Sequence, residues 1–118
     1  KTVYNRVWKQ ISGAERRREE MLMVKHIVCY KLKEPTEEIL TKTKEVFESM
    51  RGRVPEAVSI SAGIDRLHSA RSYDMVLEVV FRSFEDMAAY QQNEYHVSVV
   101  KKHVHSVTEK SVSVDYEF

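Results

Sequence analysis

The chain has 118 residues, of which 42% are hydrophobic and 31% charged, and this length and composition suit one globular domain. Its formal net charge of +1 gives no electrostatic argument for nucleic-acid binding. No apolar run approaches the roughly 18–20 residues of a membrane span, and residues 1–20 lack the apolar middle of a signal peptide. A single cysteine, Cys29, excludes an internal disulfide, so we expect a cytoplasmic protein.

Residues 1–20 differ from the rest of the chain in charge. They hold six Lys or Arg against three Asp or Glu, whereas the remainder holds 13 against 15. Their apolar residues fall at helical spacing, at Val3, Tyr4, Val7, Trp8 and Ile11. We therefore expect an N-terminal extension over residues 1–20, either a helical appendage or a segment derived from expression, followed by a domain over residues 21–118.

The first predicted strand covers residues 23–33, where apolar residues alternate with polar or small ones. One face of this strand carries Val24, His26, Val28, Tyr30 and Leu32. His26 is thus the polar member of an otherwise apolar face. It is either a core histidine with a hydrogen-bond partner or one wall of a site.

An amphipathic helix follows, with Thr36 as its cap and an apolar face that continues to Arg51. Gly52 is a typical residue just after a helix end. A second strand is predicted over residues 57–67, in which Gly63 indicates a bulge or a close backbone approach.

The second half repeats strand and helix signals. A third strand is predicted over residues 73–82, and a second helix from Phe84 to about Gln92. Asn93 is suited to cap a further helical segment. Its predicted apolar stripe consists of His96, Val99, Val100, His103 and Val107. The last predicted strand, residues 111–118, alternates Val112, Val114, Tyr116 and Phe118 with polar residues.

The predicted order β-α-β-β-α-β is that of an α+β, ferredoxin-like fold, with two helices on one face of a four-stranded antiparallel sheet. We expect the more apolar face of every strand, including the last, to point toward the helices. The opposite face still contains Ile27, Cys29, Val76 and Val80. Because such a face is too apolar to remain exposed, we expect a homodimer through the sheet.

Three residues of the helix-facing side have side chains suited to proton transfer. His26 lies on the first strand, while Tyr90 and His96 belong to the helical layer that covers it. A histidine exchanges a proton near neutral pH, and a tyrosine hydroxyl can orient a substrate. The alternative is that both histidines are structural and hydrogen-bonded in the core. A cavity below the roughly 300 Å³ of typical ligand sites would favour that alternative.

Other chemistry has weaker support in the sequence. A zinc site from His96 and His103 lacks the tight spacing of common motifs, so no metal is predicted. Cys29 lies on the expected dimer face, where packing is its simplest role. Three scattered glycines cannot form a phosphate-binding loop.

Several short motifs resemble the stress-responsive dimeric α/β-barrel (Dabb) domain family. They are Val24-Lys25-His26-Ile27-Val28, Ser72-Tyr73-Asp74, Tyr90 followed by His96, and the closing Val114-Asp115-Tyr116. The resemblance covers about residues 21–118 and implies a ferredoxin-like protomer whose sheet packs against its twin. One departure is Asn93-Glu94-Tyr95-His96, where the family commonly has His-Pro-x-His.

The resemblance also implies a candidate site, because the family includes a plant polyketide cyclase with a pocket between sheet and helices. It implies His96 as the acid–base residue, with Tyr90 and His26 in the pocket. We take His96 and Tyr90 as the candidate catalytic residues, and His26, Tyr30 and His103 as candidate pocket residues. The expected function is binding of a small carbonyl or aromatic compound without a cofactor. The alternatives are a cyclase- or isomerase-like enzyme with His96 as acid or base, and a purely structural stress-associated dimer.

Overall fold

The computed structural model of the protein describes Gly13 and residues 22–118. Apart from Gly13, the helix predicted within residues 1–20 lies outside the described residues. The strands are β1 (Val24–Leu32), β2 (Ser59–Ile64), β3 (Met75–Phe81) and β4 (Thr108–Glu117). The helices are α1 (Glu37–Glu48), α2 (Phe84–Gln92), a π-helix (His96–Lys101) and α3 (Lys102–Val107), which continues from it.

The four strands form one antiparallel sheet in the order β2-β3-β1-β4, and the helices cover one of its faces. This confirms the predicted α+β, ferredoxin-like architecture. The core lies between that face and the helices, where Val79, Phe81 and Phe47 are completely buried. The three largest fully buried side chains, those of Tyr90, Phe47 and Phe81, therefore come from α2, α1 and β3.

Helix α1 begins as its sequence predicts. The Thr36 side-chain oxygen accepts a hydrogen bond from the Ile39 N–H at 3.3 Å, and two glutamates occupy the first turn. Both features stabilise a helix N-terminus. The helix ends at Glu48, three residues earlier than predicted, and Gly52 adopts a φ of +81° in the turn that follows. Glycine tolerates this left-handed conformation without steric cost.

Gly63 of β2 pairs with Val76 of β3. A Cβ atom placed on it would lie 3.4 Å from the Val76 side chain, and the β2–β3 register is regular. The bulge predicted for this glycine is therefore wrong, and an ordinary contact with a side chain does not show the predicted close backbone approach.

The helical segment after Asn93 is capped as predicted, because the His96 N–H donates to the Asn93 side-chain oxygen at 3.0 Å. Its apolar stripe differs from the prediction. His96 and Val100 are buried and Val104 packs on the core, whereas Val99 is 39% exposed. The first turns form a π-helix. Its i→i+5 hydrogen bonds place more residues in each turn than the i→i+4 bonds of an α-helix. A periodicity of 3.6 residues therefore misplaced the stripe.

The predicted orientation of β4 is wrong. In the sheet, Val112 pairs with Cys29 and Val114 pairs with Ile27. Because directly paired residues of neighbouring strands share a face, the apolar side of β4 points away from the helices. Ser111, Ser113 and Asp115 point toward them instead. Alternation shows which residues share a face, but only the pairing shows which face the helices cover.

This arrangement leaves the sheet surface opposite the helices, here termed the outer face, strongly apolar. Val112 and Val114 are 52% and 61% exposed on β4, and Tyr116 is 40% exposed. They adjoin apolar residues of β1 and β3, namely Ile27, Cys29, Val76 and Val80. The outer face therefore has more uncovered apolar surface than the sequence pattern predicted.

Candidate functional site

A cavity of about 270 Å³ lies between the inner face of the sheet and the helices. Its buried inner end includes Val28, Leu77, Tyr90 and Val100. The exposed lining residues, among them His105, Ser111 and Ser113, form the opening. The complete lining is His26, Val28, Tyr30, Phe47, Leu77, Tyr90, Gln91, His96, Val100, Lys101, Val104, His105, Thr108, Ser111 and Ser113. The volume lies just below the roughly 300 Å³ of typical ligand sites, which on its own favours the structural alternative and leaves room only for a fragment-sized compound.

His96 and Tyr90 are held together by the junction between α2 and the π-helix. Their rings stack with centroids 4.0 Å apart and an angle of 24° between planes. His96 Nδ1 lies 3.1 Å from the carbonyl oxygen of Tyr90. Because a carbonyl only accepts hydrogen bonds, Nδ1 carries the proton, and Nε2 of the neutral ring has a free lone pair. Within residues 22–118, Nε2 has no hydrogen-bond partner.

The surroundings of His96 keep its ring neutral. Burial lowers its pKa from 6.5 to about 4, and the positive charge of Lys101 acts in the same direction. The hydrogen bond to the Tyr90 carbonyl opposes this shift without overcoming it. At neutral pH, His96 can therefore accept a proton but has none to release as an acid.

Tyr90 and Tyr30 present their rings to the cavity, and burial raises the pKa of both hydroxyls. The Tyr90 hydroxyl lies 3.9 Å from the sulfur of Met50, which is a weak acceptor in the core. Tyr30 packs on Phe47, with ring centroids 5.2 Å apart. Both phenols are thus neutral, and the Tyr90 hydroxyl is directed at the Met50 sulfur.

His26 also lines the cavity and forms an ion-pair contact through Nδ1 with the Asp115 carboxylate across β1 and β4. Its ring lies 6.2 Å from that of Tyr90, centroid to centroid, in an edge-on arrangement. Asp115 was missed as a site residue because β4 was expected to turn its polar side outward. A prediction that placed the polar side of β4 toward the helices would have identified Asp115 beside His26.

His103 does not belong to the residues that line the cavity. Its Nε2 lies 2.9 Å from the Thr43 hydroxyl of α1, and burial lowers its pKa. His105 contributes to the opening instead, together with Lys101 and Gln91. No motif singled out these three residues, since exposed Lys, Gln and His are common on any helix. The structure thus brings together four of the five predicted residues: His26, Tyr30, Tyr90 and His96.

The part of the chain that the structure describes contains no group of three His, Cys, Asp or Glu side chains placed to hold a metal ion. None of its helices is long and apolar enough to cross a membrane.

Comparison with protein families gives a match to the Stress responsive A/B Barrel Domain over residues 24–118. Among solved structures, a dimeric protein of unknown function with a ferredoxin-like fold from Bacteroides fragilis shares 26% identity. The match covers 81% of this chain and 96% of that chain, with a TM-score of 0.71. A dimeric ferredoxin-like protein of unknown function from Thermobifida fusca shares 16% identity, covers 82% and 92%, and has a TM-score of 0.72.

The hydroxynitrile lyase from Passiflora edulis is also similar in structure. It shares 19% identity, the match covers 81% of this chain and 93% of that chain, and the TM-score is 0.70. At this identity the likeness shows a common fold only. No curated protein matches the sequence significantly.

Proposed function

Because this chain belongs to the stress-responsive A/B barrel domain family, we propose that its cavity binds a small carbonyl or aromatic compound. One observation carries the proposal. The lone pair of the neutral His96 Nε2 is unused within the described residues, in a ring that lines a cavity with aromatic walls. Such a pocket combines an apolar inner end with a small number of polar groups, which is the usual composition of small-molecule sites.

The proposed ligand is small. A cavity of about 270 Å³ suits one ring with a short substituent better than a drug-sized molecule. The rings of Tyr30, Phe47 and Tyr90 offer faces and edges to an aromatic ligand. His96 Nε2 accepts a hydrogen bond from a hydroxyl of the ligand or from its enol form.

The test is a titration of the ¹⁵N-labelled protein with a panel of aromatic ketones, phenols and amides, followed by NMR. We expect saturable shifts at lining residues such as Val100 and Ser113, and none at Arg66, which does not line the cavity. His96→Phe keeps a ring against Tyr90 and removes both nitrogens, so it should weaken binding in a folded protein. The matched control is His68→Asn, in an exposed loop where His68 has a φ of 57° that Asn tolerates.

A panel without any saturable binder would remove the proposal. It would favour the structural alternative, in which His96 only helps to close the core. The same alternative is favoured if His96→Ala lowers stability but leaves the affinity of every binder unchanged.

A second candidate is cofactor-independent proton transfer, as in a cyclase or isomerase, with His96 as base. The neutral ring favours it, since the proton of a carbon next to a carbonyl would move to Nε2 and leave an enolate. A pKa of about 4 makes the base weak in the empty cavity. The assay is exchange of the methyl protons of acetophenone in D₂O, which should be faster with the wild type than with His96→Phe. Equal rates would exclude this role for His96.

We also propose that two copies of the chain pack through the outer face. Its exposed valines and Tyr116 favour this arrangement, and the Bacteroides and Thermobifida structures are described as dimeric. Such a protein would act in the cytoplasm, where its free Cys29 stays reduced.

A further inference from the structure

Resting on the proposed function, we infer that the ligand is a small carboxylic acid whose carboxylate lies at the opening of the cavity, beside Lys101. Its apolar body would reach inward toward Tyr90 and His96. The charge of the lining, its unused hydrogen-bond donors and its division into two ends support this inference.

The lining carries a cation and no carboxylate. Lys101 contributes a positive charge, and none of the fifteen lining residues is Asp or Glu. Among the described residues, Lys101 has no salt-bridge partner, while Lys44 of α1 pairs with Glu48 at 2.7 Å. One unpaired ammonium at the edge of a low-dielectric cavity favours a ligand with one negative charge.

The hydroxyl groups near the opening are also unused. Thr108 Oγ1 is buried without a hydrogen-bond partner among the described residues. Ser111 and Ser113, which line the same side of the cavity from β4, have no side-chain hydrogen bond within residues 22–118. A hydroxyl is a donor, and a carboxylate accepts several hydrogen bonds at once. A carboxylate at the opening can therefore accept hydrogen bonds from Ser111 and Ser113, whereas the buried Oγ1 of Thr108 is not open to it.

The inner end has the opposite character. Val28, Leu77 and Val100 are buried there without charge, and the stacked rings of Tyr90 and His96 form one wall. This division orients the ligand, because its ring is favoured inside and its charge outside. The positive potential of Lys101 also reaches the His96 ring, where it contributes to the lowered pKa.

The experiment compares acids with their neutral amides. Benzoate and phenylacetate are titrated against benzamide and phenylacetamide by NMR, in the wild type, Lys101→Met and Lys102→Met. Met keeps most of the length of the lysine stem, and Lys102 is an exposed neighbour outside the lining. We expect each acid to bind about tenfold more tightly than its amide, as a charge-assisted contact provides. Lys101→Met should remove that difference and Lys102→Met should keep it.

The outcomes separate this inference from the proposed function. Equal affinities for acids and amides in the wild type would overturn the carboxylate inference and leave the proposed cavity ligand standing. A loss of acid affinity as large in Lys102→Met as in Lys101→Met would also overturn it, because the attraction would then be general to the surface. Absence of binding by all four compounds and by the wider panel would remove both. Thermal unfolding of each variant shows that the fold is intact.

Discussion

The imidazole of His96 stacks on the phenol ring of Tyr90 and also donates a hydrogen bond to the carbonyl group of Tyr90. Two contacts between the same residues fix both the plane and the tautomer of the imidazole. Since Nδ1 is used for this purpose, Nε2 is the only ring nitrogen left for a ligand. The orientation of His96 is therefore built into the turn between α2 and the π-helix.

The low pKa of His96 predicts that stability falls in mild acid. The unfolded chain binds a proton at a pKa near 6.5, whereas the folded protein binds it only near 4. The stability that the neutral His96 ring contributes is therefore fully present above pH 6.5 and is lost as the pH falls toward 4. We expect a loss of about 2 kcal/mol between pH 7.5 and pH 5. Urea unfolding at both pH values measures it.

The control for that experiment is His96→Phe, which should show a smaller pH dependence. His103 acts in the same direction, since burial also lowers its pKa, so His103→Gln measures its separate share. A pH dependence as steep in His96→Phe as in the wild type would contradict the assignment to His96.

Tyr90→Phe should have little effect, and Tyr90→Ala a large one. The hydroxyl contacts only the sulfur of Met50 within the described part of the chain, so its loss should cost less than about 1 kcal/mol. The buried ring packs on Phe81 and His96, so Tyr90→Ala should cost about 3–5 kcal/mol. Chemical denaturation measures both. If Tyr90→Phe abolished binding of a fragment in a stable protein, the hydroxyl would have the orienting role suggested by the sequence.

Asn93 is expected to position His96. Its side-chain oxygen accepts the His96 N–H at 3.0 Å, and its amide contacts Glu56 at 3.3 Å. Asn93→Ala should cost about 1 kcal/mol, as is typical when a cap is lost, and should weaken fragment binding. Asn93→Asp keeps the acceptor oxygen and should retain affinity. Equal affinity in all three proteins would limit Asn93 to a structural role.

Val114→Asp should separate the proposed dimer. Val114 is 61% exposed in the centre of an apolar strand face, where a buried carboxylate would have no partner. Sedimentation at micromolar concentration should show a monomer, while the control Thr41→Asp, exposed on α1, should remain dimeric. A wild-type monomer under these conditions would contradict the proposed interface.

Most of the fold could be predicted from the sequence because its patterns are local. Alternation in β1 and the Thr36 cap of α1 each depend on neighbouring residues alone. The facing of β4 could not be predicted this way, since it depends on the pairing of Val114 with Ile27, almost ninety positions away. The π-helix was missed for a different reason, because its turn departs from the usual helical period.

A residue of the candidate site could be predicted only where the strand or helix that carries it was predicted. His26, Tyr90 and His96 could be placed because β1, α2 and the start of a helical segment after Asn93 were identified correctly. Asp115 and the two serines could not, because they depend on the orientation of β4. His103 was placed in the cavity by a periodicity that the π-helix interrupts, and its bond to Thr43 has no signal in the sequence.

The orientation of β4 has a mechanical consequence. Within its ten residues, Ser111 and Ser113 border the cavity while Val112 and Val114 lie on the outer face. A strand is a single layer of backbone, so any tilt or sliding of β4 moves both surfaces together. If a ligand in the cavity shifts β4, the proposed binding and the proposed association are linked, and the factor by which the ligand changes association equals the factor by which association changes the affinity for the ligand.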